Sequence, residues 1–215
     1  CRSHRRSFMV AVPSLPAAQA SLAILNEAAN TRAAEDAAVI GALIDLEKAM
    51  RATAKGDETM SRKTLESLNG AWRLIFTTGT VDTQKKVGTV SYFPLKAVQT
   101  FDTTSMAITN GIFLGNFALL KFFGEFEWDV PKRRVNFDFD AVALLGFRIN
   151  LPKGGAAQLG AKTGLGAEQN VERARQDKKA FFNWISADKN IATARGGGGG
   201  LALWKRDIEE EARMP

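Results

Sequence analysis

The sequence predicts a mainly β fold: an antiparallel barrel preceded by N-terminal α-helices. Three observations predict it. From Ala71 onward the apolar residues recur with period two, the strand period. Before that point they recur at three- and four-residue steps, the helix period. The period-two segments are short, numerous and separated by turn residues, which marks a sandwich or barrel, and eight to ten such strands suffice to close a barrel around one ligand.

The elements follow in order. Residues 1–20 read as a basic, targeting-like tail, with Arg2, Arg5 and Arg6 and no acid before Glu27. His4-Arg5-Arg6-Ser7-Phe8-Met9-Val10, followed by Ala18-Gln19-Ala20, looks like a twin-arginine signal with a cleavage pattern. An ordinary transit segment is the other reading. Residues 21–66 read as helical. Ser21 is placed to cap a segment Leu22–Asn30, and Thr31 to cap a second. In the second, Val39, Ile40, Leu43, Ile44, Leu46 and Met50 form one stripe. Such a stripe packs on the chain's own barrel or docks another protein. Lys55-Gly56-Asp57 ends it, and Thr64–Ser67 is expected to form a short turn before the barrel.

Residues 67–206 form the expected barrel. Strands are predicted at 71–78, 86–92, 97–102, 105–110, 124–130, 133–139, 142–150, 181–187, 190–195 and 201–205. Alternation is clearest in Val135-Asn136-Phe137-Asp138-Phe139-Asp140 and in Gly124-Glu125-Phe126-Glu127-Trp128-Asp129. The turn Asp129-Val130-Pro131-Lys132 joins them as a hairpin. The segment Phe113–Phe126 is too densely apolar for clean alternation. It is either a strand pair buried on both faces or an apolar lip. Residues 152–180 are an insertion, Gly/Ala-rich and then charged, expected as a flexible loop near the barrel mouth. Gly155–Thr163 superficially looks like a phosphate-binding loop, but Ala161 separates the glycine from the lysine and the setting is antiparallel. The five glycines 196–200 are expected to form a mobile hairpin tip, and residues 207–215 a solvated charged tail.

Composition narrows function. The chain has 14 Phe and 4 Trp against 1 Tyr, an aromatic set suited to a core, an apolar pocket or a lipid-facing surface. One Cys (Cys1) and one His (His4) exclude an intrachain disulfide and leave no histidine for a triad or metal cluster in the folded part. No apolar stretch reaches the length of a spanning helix. A net charge of +6 suits anionic surfaces, while no nucleic-acid signature interleaves the basic residues with aromatics. Glu125, Glu127, Asp138 and Asp140 alternate to the outside, so catalysis is not expected. Trp72, Phe126, Trp128, Phe137, Phe139 and Trp184 are the candidates for a ligand-lining interior.

Two motifs carry a resemblance. The chain has Leu68-Asn69-Gly70-Ala71-Trp72-Arg73-Leu74 at the first strand. It has Asp188-Lys189-Asn190-Ile191-Ala192-Thr193-Ala194-Arg195-Gly196 before the last. Together they resemble the plastid lipid-associated protein family, the fibrillins, over roughly residues 35–206. The resemblance implies a lipocalin-like barrel at thylakoids or plastoglobules that binds or organises lipophilic molecules. A lipid, quinone, carotenoid or chlorophyll is the ligand to expect, with no metal. Implied partners are the thylakoid membrane surface or a membrane-protein complex of photosystem or antenna subunits. A peripheral linker between photosystem and antenna is the alternative function. The side would be stromal, or lumenal if the twin-arginine motif is genuine. Trp72 and Arg73 belong to the family's opening strand, and Asp188, Ile191, Arg195 and Gly196 to its closing hairpin, where Asp188 and Arg195 are expected to pair.

Overall fold

The computed structural model describes residues 15–53, 56–163 and 168–214. The twin-arginine motif lies outside them. Three helices come first: α1 (Leu15–Thr31), α2 (Asp36–Thr53) and α3 (Glu58–Leu68). The first helix begins earlier than expected, because Ala17-Ala18-Gln19-Ala20 are strong helix formers and Ala18 packs on the core. Ser21 is therefore a buried mid-helix residue and not a cap. Thr31 ends α1, its hydroxyl donating to the Glu27 carbonyl at 2.9 Å. Where a short turn was expected, α3 runs eleven residues, capped by Asp57, whose carboxylate accepts from the Met60 N–H at 2.9 Å.

The strands are β1 (Gly70–Thr77), β2 (Ser91–Tyr92), β3 (Lys96–Asp102), β4 (Ala107–Leu114), β5 (Phe117–Asp129), β6 (Arg134–Leu144), β7 (Phe147–Asn150), β8 (Ala180–Ala187), β9 (Ile191–Gly196) and β10 (Leu201–Arg206). All pairings are antiparallel. The order β1-β3-β4-β5-β6-β8-β9-β10 returns to β1 through the β10–β1 ladder, closing an eight-stranded up-and-down barrel of lipocalin type. β2 and β7 hang on its rim, on β1 and β6.

Two predicted strands are corrected. Residues 86–92 are a strand only at Ser91–Tyr92: α4 (Val81–Val87), capped by Thr80, which accepts from the Thr83 N–H at 3.1 Å, takes the first two, and Gly88 ends it at φ +78°. Asp82 in its first turn and Lys85 and Lys86 in its last suit the helix dipole. Residues 142–150 are two strands, split where Leu145 and Gly146 adopt φ +50° and +90°, a two-residue hairpin turn.

The helical stripe packs on the chain's own barrel. Leu25, Val39, Leu43 and Leu46 are buried against Ile75, Ile185, Ile191, Leu201 and Leu203. Two bulges make this contact possible. The β1–β10 register skips between Leu74 and Phe76, and the β8–β9 register between Trp184 and Ser186. The extra residues are Ile75 and Ile185, each buried under the helices, so the barrel gains outward apolar groups without losing its inward ones. An ion pair ties the layer down. Arg195 on β9 donates from Nε and Nη2 to Glu47 on α2 at 2.8 and 2.5 Å.

The hydrogen bond from Arg195 holds the Glu47 carboxyl below its ordinary value of 4.5. A depressed carboxyl pKa contributes stability above 4.5 that is lost as pH falls through the folded value. Glu47→Gln is thus expected to cost about 1 kcal/mol at pH 7 for this half-buried pair. It should also flatten the acid limb of a urea-denaturation profile, the difference from the parent shrinking as pH falls below 4.5.

The C-terminal tail is not solvated as expected. Lys96, 12% exposed, pairs with Asp207 and Glu210 at 3.5 and 3.7 Å, and the Asp207 N–H donates to the Ala71 carbonyl at 2.8 Å. A short helix α7 (Ile208–Glu211) results.

Candidate functional site

Inward residues divide the barrel into a solid lower half and an open upper half. The lower half is an aromatic floor. Trp72, Phe101, Phe126 and Trp184 are buried there with Ile108 and Val135, and Leu65 and Leu68 of α3 close the end from below. Phe101 meets Phe126 and Trp184 edge-on at 5.5 and 5.6 Å. The Trp72 indole donates to the Leu68 carbonyl at 2.7 Å, and Arg206 covers its ring at 4.3 Å while donating to the carbonyls of Ser67 and Asn69. At the same end the Trp128 indole donates to Ser61 on α3 at 3.2 Å.

Above the floor is a cavity of about 570 Å³. Leu74, Phe122, Phe137, Phe139, Phe182 and Trp204 form its apolar wall. Small inward residues on β9 and β10, Gly196 and Ala202, leave that side open. Charged lining residues (Asp138, Lys153, Asp177, Lys178 and Lys179) belong to the mouth. Two amides, Gln99 and Asn110, lie deeper on the wall.

The insertion roofs this cavity and is not a structureless loop. It contains α5 (Gly155–Thr163) and α6 (Glu168–Arg175). Ala156 and Leu159 of α5 pack on Phe122 and Val142, leaving Ala157 and Gly160 on the cavity. The glycine-lysine-threonine stretch that superficially looked like a phosphate loop is this helix. Arg173 of α6 and Arg134 of β6 flank the Phe181 ring at 4.6 and 4.0 Å, fixing the insertion to β8. The glycine tip is held as well. Val81 donates its N–H to the Gly198 carbonyl at 3.0 Å, and Gly200 lies so close to the Gly79 carbonyl that a Cβ would not fit. Glycine serves close approach there, where motion was expected.

A model of the PAP_fibrillin family matches residues 30–203. The chain belongs to the fibrillin family. Its members are plastid, lipid-associated proteins. No curated protein matches the chain. Among solved structures it is similar to a lipocalin-like protein from Bacteroides uniformis ATCC 8492, at 12% identity and TM-score 0.42. That match covers 66% of this chain and 99% of that one. It is also similar to a protein from Burkholderia xenovorans solved by NMR, at 12% identity and TM-score 0.35, over 67% of this chain and 87% of that one.

The fibrillin motif residues do structural work at the two ends of the barrel. Trp72 is in the floor and Arg73 alternates to the outer face. Asp188 and Arg195 do not pair across the closing hairpin. Asp188 instead accepts from the N–H groups of Asn190 and Ile191 at 2.7 and 2.9 Å, pinning the turn, and Arg195 is taken by Glu47. Ile191 faces the helices and Gly196 the cavity. Of the six expected lining residues, Phe137 and Phe139 reach the cavity wall. Trp72, Phe126, Trp128 and Trp184 are inside the barrel but below the cavity. Leu74, Gln99, Asn110, Phe122, Phe182, Ala202 and Trp204 were missed. Glu125, Glu127, Asp138 and Asp140 are exposed, with Glu127 paired to Lys179 at 2.6 Å. Among the described residues no group of three or more His, Cys, Asp or Glu gathers as a metal site.

Proposed function

We propose that this fibrillin is a non-catalytic carrier or organiser of a lipophilic molecule at the thylakoid membrane. The observation that carries the reading is the roofed apolar cavity over a solid aromatic floor. Each methylene removed from water contributes about 0.8 kcal/mol, so about ten buried methylenes supply roughly 8 kcal/mol before the costs of association. A lipid, quinone, carotenoid or chlorophyll tail meets that requirement.

Membrane contact is supported by the rim. The β4–β5 and β6–β7 hairpin tips stand at the mouth end and expose Leu114, Phe117, Leu144, Leu145, Phe147 and Ile149, from 54% to 78%. Arg148 and Lys121 lie over Phe123 and Phe113 at 4.5 and 5.9 Å beside them. Apolar tips backed by cations suit an anionic bilayer interface. Of the dense Phe113–Phe126 segment, Leu114 and Phe117 join these tips, while Phe113, Phe122 and Phe126 are buried. The same tips could seat on photosystem or antenna subunits, the linker reading.

Native mass spectrometry of protein purified from mildly solubilised thylakoids tests the carrier reading. One bound lipophile per chain supports it, and stoichiometric membrane-complex subunits with no small molecule favour the linker. On vesicles containing anionic lipid, Phe117→Glu with Phe147→Glu is expected to lower co-flotation at least tenfold. Unchanged flotation would remove the hairpins from the membrane contact.

A further inference from the structure

We infer that the cavity selects a lipophile with an uncharged hydrogen-bonding head, held against the floor by the amides of Gln99 and Asn110. The inference rests on the carrier reading and specifies the ligand.

Gln99 on β3 and Asn110 on β4 are direct cross-strand partners, and both line the cavity. In the barrel ladder Gln99 also neighbours Trp72, and Asn110 neighbours Phe122. The amide pair therefore sits where wall meets floor, between two aromatic side chains. Gln99 is 3% exposed. Among the described residues neither side-chain amide has a hydrogen-bond partner. Both amides face the cavity, so each keeps a donor and an acceptor free for a bound polar atom, which an apolar residue at either position would not present. Their placement side by side on a mostly apolar wall marks a place where a polar atom is received.

The chemistry of that atom is constrained. Each amide offers both an N–H donor and a carbonyl acceptor, which matches a ligand carbonyl, hydroxyl or phenol. Among the described residues no cation lines the cavity at this depth, since Lys153, Lys178 and Lys179 are at the mouth. A carboxylate or phosphate beside Gln99 would be a buried charge without a counter-ion. An anionic lipid would thus have to bind with its head outward, and a quinone or hydroxylated lipophile with its head inward. Gln99 lies three residues from Lys96, the mouth end of β3, so the head is roughly 10 Å below the rim at the strand rise per residue. A longer tail leaves the mouth beside the exposed hairpin tips.

Three probes of one chain length test this: decyl-1,4-benzoquinone, decylbenzene and decanoate. The intact protein is expected to bind the quinone at least tenfold tighter than decylbenzene. In the double variant Gln99→Leu with Asn110→Leu the two should bind within about twofold of each other, through loss of quinone affinity, with decylbenzene binding at least as well as before. The variant should melt close to the parent, because both side chains face the cavity and not the packed floor. Asn110→Leu alone reads the same contrast should the double variant fail to fold. A quinone preference that survives the substitutions would overturn the inference, as would decanoate outcompeting the quinone at the floor. Binding of decylbenzene without any quinone preference would overturn it while leaving the carrier reading intact. Failure of all three probes to bind would overturn both.

Discussion

Trp72→Ala lowers the stability of the barrel by about 3–5 kcal/mol, the range for deleting a large buried aromatic. Trp72 is fully buried in the floor, under Arg206 and beside Leu68. Removing its ring takes away packing on both sides, the indole hydrogen bond to the Leu68 carbonyl, and the surface that Arg206 covers. The last turn of α3 then loses its anchor to the barrel. Phe139→Ala tests the division into floor and wall from the other side. Phe139 is half-buried, packed at a tilt between Phe122 and Phe137 with ring centroids 5.5 and 5.4 Å away, and lines the cavity. Its truncation opens onto existing space and is expected to cost about 1–2 kcal/mol, below the usual range for core Phe→Ala. Urea unfolding of both variants by circular dichroism decides the matter. Equal losses would mean that the upper half of the barrel is packed as tightly as the lower.

Ala202→Phe is expected to weaken lipophile binding more than 100-fold with the fold intact. Ala202 is an inward residue of β10, paired with Ala194 on β9 and Thr77 on β1, and it opens onto the cavity. A phenyl ring there occupies the ligand's volume. Overpacking a filled core costs about 1–3 kcal/mol, but a ring that enters open space avoids most of that strain. A melting temperature near that of the parent, together with lost binding, is the expected pair of results. Lost binding with a collapsed melting temperature would show a filled interior.

The motifs at the two ends, the alternating strands and the helical stripe were legible because each is a local pattern. The barrel, the N-terminal helices and the family could all be read from them. Less visible were effects that depend on a single inserted residue or on distant partners. The run Leu74-Ile75-Phe76 conceals a bulge, since three consecutive apolar residues do not say which faces inward. Asp188 and Arg195 were expected to pair because they flank one hairpin, whereas Glu47, 148 residues away in sequence, holds the arginine. The floor and wall could not be separated either, because that depends on how far α3 closes the end. One signal was present and unused. Ile108, Asn110 and Ile112 share a face, as do Ala97, Gln99 and Phe101, so each amide stands within an apolar inward row. A polar residue in such a row is a cavity candidate even before the register is known.

The most direct test is the crystal structure of the protein with a benzoquinone whose alkyl tail ends in bromine. The carbonyl head should lie within hydrogen-bond distance of Gln99 and Asn110, with the anomalous bromine signal at the mouth beneath α5 and α6. A bromine signal confined to the outer hairpins, with side chains filling the space above Trp72 and Phe101, would contradict the account.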